Sequence, residues 1–165
     1  MRRKRDRGAS LEALAELYER RHGRFLHVAE AIVGDPELAN DAVQDAFARL
    51  VRSRRSFRGE GSLDGWVWRT VVNTARNALR DRPPLSVPLE DGTAISANGN
   101  APDARVRAVL ALLPEQQRLV LFLRYYADLD YRSIAEALGI RPGTVGATLN
   151  QAHAGLRRLL EEVPG

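Results

Sequence analysis

Residues 83–102 limit what this chain can fold into more than any other stretch. They read PPLSVPLEDGTAISANGNAP, in which proline, glycine, serine and asparagine dominate and neither a helical nor a strand period survives. Such a composition is typical of a flexible linker. The chain is therefore predicted to form two small modules, the first over residues 10–82 and the second over residues 103–162. A disordered basic arm over residues 1–9 precedes them.

Helical spacing of apolar residues runs through both modules, and strand-like alternation is absent. We therefore predict an all-α fold of two small helical domains joined by the linker. Ser10 is the expected N-cap of the first helix, which bends at Gly23 and ends at Gly34. Asp35, followed by Pro36, is expected to begin the second helix, because proline is tolerated at a first helical position.

The second predicted helix, residues 37–52, has two contrasting faces. Its apolar stripe is expected in the core and consists of Ala39, Ala42, Val43, Ala46, Phe47 and Leu50. The opposite face is mostly acidic and carries Glu37, Asp41, Gln44, Asp45 and Arg52. From the residues alone, that face is either solvated surface or a docking site for a basic partner.

Charge is distributed unevenly along the 165 residues. Residues 1–7 hold five bases and one acid, which equals the whole net charge of +4. Residues 11–47 carry a charge of −5 and residues 48–82 a charge of +6, which suggests two surfaces for two different partners. Without cysteine, and with three scattered histidines, the chain is expected to need neither a metal nor another cofactor. No apolar run reaches the roughly 20 residues that span a bilayer, so we expect no membrane insertion and a cytoplasmic location.

The stretch 57–82, FRGEGSLDGWVWRTVVNTARNALRDR, contains both tryptophans and five arginines. We predict a loop over 57–63 and a helix over about 65–80, with Asp64 as its N-cap. One face of this helix is expected in the core and carries Trp68, Val71, Val72, Ala75 and Leu79. The other face carries Trp66, Arg69, Asn73, Arg76, Asn77 and Arg80. Guanidiniums, amides and an indole suit single-stranded nucleic acid, although an ordinary solvated face has the same pattern.

The second module is predicted to contain a helix-turn-helix. Asp103 and Pro114 are expected near the starts of two earlier helices, with Val106 and Tyr126 among their core residues. Asp130 then caps a short helix, Gly139 makes a left-handed turn that Ile140 plugs, and Pro142 begins a long helix. The exposed face of the long helix is expected to carry Thr144, Ala147, Thr148, Gln151, Gly155 and Arg158, with Arg141 just before it. Such residues can contact base edges, and the alternative is a helical hairpin that only packs.

Taken together, the two modules resemble the sigma-70 family of bacterial RNA polymerase initiation factors, in particular its extracytoplasmic-function (ECF) group. In the first module the resemblance rests on LANDAVQDAFARL (residues 38–50) and FRGEGSLDGWVWRTVVNTARNALR (residues 57–80). In the second it rests on LLPEQQRLVLFLRYYADLDYRSIAEALGIRPGTV (residues 112–145). It implies a non-enzymatic sigma factor that binds core polymerase, recognises promoter DNA and helps to melt it.

The resemblance also implies roles for individual residues. Docking onto the polymerase clamp helices is implied for Asp41, Gln44, Asp45 and Phe47. Contact with the minus-ten element and its opened strand is implied for Phe57, Arg58, Ser62, Trp66, Arg69, Asn73, Arg76, Asn77 and Arg80. Contact with the minus-thirty-five element is implied for Arg141, Thr144, Ala147, Thr148, Gln151 and Arg158, while the polymerase flap is a further expected contact.

The long helix departs from the family pattern, which is rich in lysine and arginine after the Thr-Val pair. Here the residues from 146 to 153 read GATLNQAH, so three or four expected positive charges are missing. About three lost phosphate contacts would flatten the salt dependence of DNA binding by nearly three units of slope. We therefore expect weak upstream-element binding by the second module alone.

Two other functions are compatible with parts of the sequence. A helix-turn-helix regulator would use the second module but leaves the acidic helix and the Trp-Arg helix unexplained. A sigma-like interaction protein with degenerate DNA binding would explain the depleted long helix. The ECF group often has an anti-sigma partner, and nothing in the residues identifies one.

Overall fold

The computed structural model describes residues 8–82 and 104–162, and every regular element in these two ranges is a helix. The first module contains α1 (Leu11–Val33), α2 (Pro36–Ser53), a short 3-10 helix (Arg54–Ser56) and α3 (Leu63–Arg80). The second module contains α4 (Ala104–Ala111), α5 (Glu115–Tyr125), α6 (Tyr131–Leu138) and α7 (Pro142–Glu162). The predicted all-α fold is confirmed. The predicted linker, the Asp103 cap and residues 1–7 of the predicted arm lie outside the described residues.

Helices α1, α2 and α3 pack around an aromatic core. Trp68 is fully buried, and its ring centroid lies 4.5 Å from that of Phe25. Phe25 in turn meets Phe47 edge-on at 5.1 Å, and Phe47 meets Tyr18 at 4.9 Å. Edge-to-face and tilted arrangements at these distances add to the stabilisation that burial of apolar surface provides. This core fixes the orientation of α2 and α3, and thus which of their faces reach solvent.

Local sequence signals set the ends of the first two helices as predicted. The Ser10 hydroxyl accepts a hydrogen bond from the Ala13 amide at 3.1 Å, and the Asp35 carboxylate accepts two from the first turn of α2. Gly34 ends α1 in the left-handed conformation, with φ of 75°. α1 continues as one helix through Gly23, the position of the predicted bend.

The start of α3 differs from the prediction, which placed the cap at Asp64. The cap is Ser62, whose backbone is extended and whose hydroxyl accepts a hydrogen bond from the Gly65 amide at 2.9 Å, so the helix begins at Leu63. Asp64 lies in the first turn, where a negative charge still interacts favourably with the helix dipole. Leu79 was predicted in the core but is 43% exposed, because it lies in the last turn, beyond the final buried residue Ala75.

The second module contains the predicted helix-turn-helix, formed by α6 and α7. Gly139 has φ of 66° and ends α6, and the Ile140 amide then donates to the Ala135 carbonyl. Leu119, Leu123, Ile134 and Val145 are among the fully buried side chains that hold the hairpin against α5. Val106 of α4, which was predicted in the core, is 36% exposed because it lies towards the start of this short helix, ahead of the buried Val109 and Leu110.

Asp130 gives the helix-turn-helix a cap whose strength depends on pH. Its carboxylate accepts the Ser133 amide at 2.7 Å, and hydrogen bonds from Ser133 hold the pKa of Asp130 below its usual value. We expect Asp130→Ala to lower the free energy of unfolding by about 1 kcal/mol at pH 7. Because the folded pKa is depressed, this contribution is complete above the unfolded pKa of about 3.9. It is lost as pH falls through the folded pKa.

Urea unfolding of the wild type and Asp130→Ala at pH 7 and at pH 3 measures this effect. Asp130→Asn is the matched control, because its amide oxygen still accepts the bond but does not ionise. The stability difference between Asp130→Ala and the wild type should shrink at the lower pH. A difference that stays constant over this range would contradict the assignment of the pH dependence to Asp130.

The two modules contact each other through α3 and α6 and, less extensively, through α1 and α5. The buried apolar residues of both modules form one continuous cluster. Arg24 of α1 donates to the Ala127 carbonyl at 3.4 Å, and the rings of His27 and Tyr126 meet at 6.0 Å. The α3–α6 contact is the larger one, and it lies at the part of α3 that the sequence identified as a candidate nucleic-acid surface.

Candidate polymerase and nucleic-acid interfaces

The acidic side of α2 is open to solvent, as predicted. Asp41, Gln44 and Asp45 are exposed on it, and we refer to these three residues as the docking face. Asp45 forms an ion pair with Arg49 at 3.0 Å, one turn further along the helix. Phe47, which shares the predicted docking role, is only 8% exposed and packs in the aromatic core. The polar contacts that this face offers a partner therefore come from the other three residues.

An apolar groove borders the docking face. It has a volume of about 590 Å³ and runs between α1 and the second half of α2, with Leu11, Tyr18, Gln44, Phe47 and Val51 among its lining residues. Phe47 thus packs mainly in the core, and its remaining exposed edge lines this groove. A partner that contacts Gln44 would also reach apolar surface here.

The loop before α3 holds its aromatic residue against the helix. The rings of Phe57 and Trp66 are tilted and lie 5.2 Å apart, and Trp66 is half-buried. Gly59 and Gly61 have φ of 74° and 83°, a conformation that favours glycine, so the chain can turn twice between Arg58 and Ser62. Arg58 is exposed at the outer edge of the loop. The loop therefore presents a cation next to a partly covered aromatic pair.

The exposed side of α3 continues from this loop. Arg69 and Asn73 are exposed, and Arg80 donates to the Asn77 side chain at 3.0 Å. Arg76 is half-buried, and its Nε donates to Glu115 at 2.6 Å. We refer to the following predicted set as the minus-ten surface: Phe57, Arg58, Ser62, Trp66, Arg69, Asn73, Arg76, Asn77 and Arg80. The structure brings all of these residues onto one continuous strip of the first module.

The exposed side of α7 contains fewer of the predicted residues than expected. Arg141, Thr144, Ala147, Gln151 and Arg158 are exposed and form what we call the reading face.

The placement of Thr148 and Gly155 on the exposed side of α7 is wrong. Thr148 is 5% exposed, because it lies three residues after Val145 and four before Ala152, on the buried stripe. Gly155 is also buried, since a Cβ there would lie 3.0 Å from Leu113 Cδ2.

Two acids of the second module reach the minus-ten surface, and the sequence did not identify them. Glu115 pairs with Arg76, and Glu136 accepts hydrogen bonds from Ser62. Their partners lie 39 and 74 residues away along the chain, so no local spacing pattern could have related them. The Ser62 hydroxyl also lies 3.3 Å from that of Ser133.

In the described ranges, the structure contains no group of three His, Asp or Glu residues placed to hold a metal ion. Among the same residues, no helix is long and apolar enough to cross a membrane. The surfaces that the described residues present are an acidic face on α2, a strip of cations with aromatic rings on α3 and the loop before it, and a helix-turn-helix formed by α6 and α7.

Comparison with protein families matches each module to a different part of one family. Residues 17–83 match the model described as sigma-70 region 2, and residues 103–154 match the model described as sigma-70, region 4. A sigma-E factor of Streptomyces avermitilis is 31% identical over 150 residues, which cover 88% of this chain and 84% of the relative. The chain belongs to the sigma-70 family. This sigma factor is of the ECF type, a transcription initiation factor that binds core RNA polymerase and promoter DNA.

Other relatives lead to the same assignment. The ECF sigma factor SigM of Mycobacterium tuberculosis is 30% identical over 151 residues, which cover 90% of this chain and 77% of SigM. The ECF sigma-E factor of Escherichia coli K12 is 32% identical over 130 residues, which cover 68% of each chain.

Solved structures share the fold at lower sequence identity. CnrH, in complex with the cytosolic domain of CnrY, superimposes with a TM-score of 0.72 at 22% identity, covering 94% of this chain and 92% of CnrH. The sigma factor RpoE of Bartonella quintana, in complex with the anti-sigma factor NepR, gives 0.70 at 18% identity, covering 93% and 100%.

Proposed function

We propose that this sigma factor divides its tasks between the surfaces described above. Residues 10–82 would form the domain that docks onto the polymerase clamp helices and holds the minus-ten element. Residues 103–162 would form the domain that approaches the minus-thirty-five element and the polymerase flap, with residues 83–102 as the linker. The observation that carries this proposal is the juxtaposition, on two adjacent helices, of the acidic docking face and the cationic minus-ten surface.

Strand opening is proposed to use the loop and α3 together. Taking a base out of the stack costs a few kcal/mol. The Phe57–Trp66 pair offers an apolar ring surface against which an extruded base can stack, and stacking contributes about 1–3 kcal/mol per base. Arg69 and Asn73 extend from the same helix and can hold the phosphates and base edges of the displaced strand. These contacts form only with opened DNA, so they favour the melted state.

The reading face is proposed to contribute less to affinity than its counterpart in the family pattern. Thr144 and Gln151 can donate to base edges, and Ala147 can contact a thymine methyl group. Cations are confined to Arg141 at the beginning of the face and Arg158 near its end. With Thr148 buried, the upstream contact would depend on polymerase, on an activator, or on strong minus-ten contacts elsewhere in the promoter.

We further propose that the protein has no catalytic activity of its own and acts in the cytoplasm, where core polymerase is found. An anti-sigma factor is a candidate partner, because the two solved relatives of similar fold were captured with CnrY and NepR. In vitro transcription with core enzyme and a promoter library tests the proposed function as a whole. Transcripts that start at defined promoters only when the protein is present would support it.

Substitutions on the minus-ten surface should impair melting of the promoter more than they impair binding to the closed, duplex promoter. We expect Arg69→Ala or Asn73→Ala to reduce open-complex formation about tenfold, since hydrogen bonds to charged groups contribute about 1.5–3 kcal/mol. Arg76→Ala should also reduce opening, because in the wild type the displaced strand can take the place of Glu115 on Arg76. Closed-complex affinity should change much less, because duplex DNA does not present the displaced strand. Permanganate reactivity of the melted thymines measures opening, and a mobility shift measures closed-complex binding.

Arg20→Ala, an exposed cation on α1 outside both the docking face and the minus-ten surface, is the matched control. It should leave permanganate reactivity unchanged. If Arg69→Ala and Asn73→Ala behaved like this control, the assignment of α3 to the displaced strand would be wrong.

A further inference from the structure

A polar cavity lies between α1 and the end of α5, outside the docking face, the minus-ten surface and the reading face. Its volume is about 620 Å³, within the roughly 300–1,000 Å³ that small-ligand sites occupy. Arginines of α1 and the rings of Tyr125 and Tyr126 line it, and none of its described lining residues is acidic. The cavity therefore favours an anionic ligand.

The arginines at this cavity differ in how closely an acid neutralises them. Arg20 is paired at 3.3 Å with an acid one turn earlier on α1, so it has less charge to offer a ligand. Arg21 lies 3.9 Å from Asp64, and its buried Nη1 has no hydrogen-bond partner among the described residues. Arg24 forms no ion pair within the described ranges and donates to a neutral group, the Ala127 carbonyl, at 3.4 Å. Guanidiniums with free donors bind phosphate oxygens well.

Tyr125 gives the cavity an exposed aromatic surface. Its side chain is 62% exposed, while its hydroxyl lies 2.9 Å from His153 Nε2. This contact holds the ring in one orientation, so less side-chain entropy is lost when a planar group stacks on it. Tyr126 is half-buried, and its ring meets that of His27 of α1 at 6.0 Å. Cations on one helix and an aromatic ring on the other suit a phosphorylated nucleoside better than a bare phosphate.

Gly23 leaves space in the cavity for which packing gives no reason. It lies inside the 23-residue helix α1, where glycine is less favourable than alanine. A Cβ at Gly23 would meet no neighbouring group within 4 Å, so no close approach requires a glycine here. Because Gly23 lines the cavity, a side chain at this position would take up room that is open to a ligand.

We propose that this cavity binds a free nucleotide with two or more phosphates. Arg21 and Arg24 bind the phosphate oxygens, and the base stacks on Tyr125. A volume of this size holds one nucleotide, whereas a nucleic-acid strand needs a groove that continues past it. The site is independent of the proposed function, because its residues belong to none of the surfaces used there. A nucleotide held in this way contacts α1 and α5 together and stabilises the folded chain by mass action.

Substitutions of Gly23 test the site without removing any existing contact. Isothermal titration calorimetry of the full chain with ATP, in buffer without divalent cations, measures the affinity. Gly23→Glu should bind ATP about tenfold more weakly than Gly23→Ala, because it places a negative charge in the cavity. Gly23→Lys should bind ATP at least as tightly as Gly23→Ala. The alanine variant is the matched reference, since all three substitutions remove the helix glycine.

Removing one guanidinium tests the phosphate contacts. Arg24→Ala should weaken ATP binding about tenfold, as expected for the loss of hydrogen bonds to a charged group. Arg157→Ala, an exposed arginine of α7 outside the cavity, is the control for general charge and should bind ATP like the wild type. Thermal unfolding with and without ATP should show the same order, with a smaller rise in Tm for Arg24→Ala than for the control.

Inorganic tripolyphosphate, which has no base, tests the role of Tyr125. The wild type should bind ATP about tenfold more tightly than tripolyphosphate, because only ATP can stack. Tyr125→Ala should lower the affinity for ATP to that for tripolyphosphate and leave tripolyphosphate binding unchanged. A preference for ATP that persists in Tyr125→Ala would overturn the stacking assignment.

Three other results would overturn the proposal. One is the absence of ATP binding to the wild type, and another is equal ATP affinity in Gly23→Glu and Gly23→Lys. Equal losses in Arg24→Ala and Arg157→Ala would show that general charge, and not the cavity, attracts the ligand. A short single-stranded oligodeoxyadenosine distinguishes the source of the phosphates. Unchanged ATP binding in its presence supports a site for a free nucleotide, and displacement of ATP would assign the cavity to a nucleic-acid strand instead.

Discussion

Replacing both Asp41 and Asp45 by lysine is expected to weaken binding to core polymerase about 100-fold. Both carboxylates are exposed on α2, and the aromatic core beneath fixes the orientation of this helix. Placing like charges across an interface costs several kcal/mol, and the change also releases Arg49 from its pair with Asp45. Titration of labelled sigma factor with core enzyme in 0.15 M salt measures the loss.

The control for this reversal is Glu12→Lys with Glu161→Lys, two exposed acids outside the docking face. It changes the net charge equally and should alter core affinity only slightly, because exposed charges beyond a Debye length are screened at this salt concentration. Equal losses in the two variants would show that general charge, and not the docking face, determines polymerase binding.

Trp68→Ala is expected to produce the largest loss of stability among single substitutions. Trp68 is fully buried and packs against Phe25 at the centre of the first module. Truncating a buried tryptophan costs about 3–5 kcal/mol, a large share of the 5–15 kcal/mol that holds a typical domain folded. Urea unfolding followed by far-ultraviolet circular dichroism measures the change without relying on the lost indole.

The neighbouring Trp66→Ala is the informative comparison, because the two indoles are two residues apart and face opposite ways. Trp66 is half-buried against Phe57, so its loss should cost distinctly less stability than the loss of Trp68. It should instead reduce permanganate reactivity of the melted promoter. A Trp66 variant as unstable as Trp68→Ala would mean that Trp66 belongs to the core and not to the minus-ten surface.

Features that depend on a few consecutive residues could be predicted from the sequence. Asp35 and Asp130 each cap a helix as expected, and Gly139 makes the left-handed turn, because such signals act over three or four residues. The two faces of α2 were also predictable from a 3.6-residue period. The prediction of Asp64 as the cap of α3 missed Ser62, because both residue types can cap a helix and the two lie only two positions apart.

Features that depend on neighbours distant in the chain were harder to predict. Thr148 has the spacing of the buried stripe, but it was predicted on the face towards DNA because its hydroxyl can contact base edges. Gly155 is buried because Leu113, 42 positions earlier, lies over it. The positions of Glu115 and Glu136 depend on how the two modules pack, which no periodicity within either module determines.

Ser62 links the folding of the two modules. Its hydroxyl accepts the Gly65 amide and also lies within hydrogen-bonding distance of Glu136 and Ser133. The N-terminus of α3 is thus stabilised partly by α6, a helix more than sixty residues further along the chain. Loosening α6 should let the first turn of α3 fray, and amide hydrogen exchange in that turn would then report the integrity of a domain to which it does not belong.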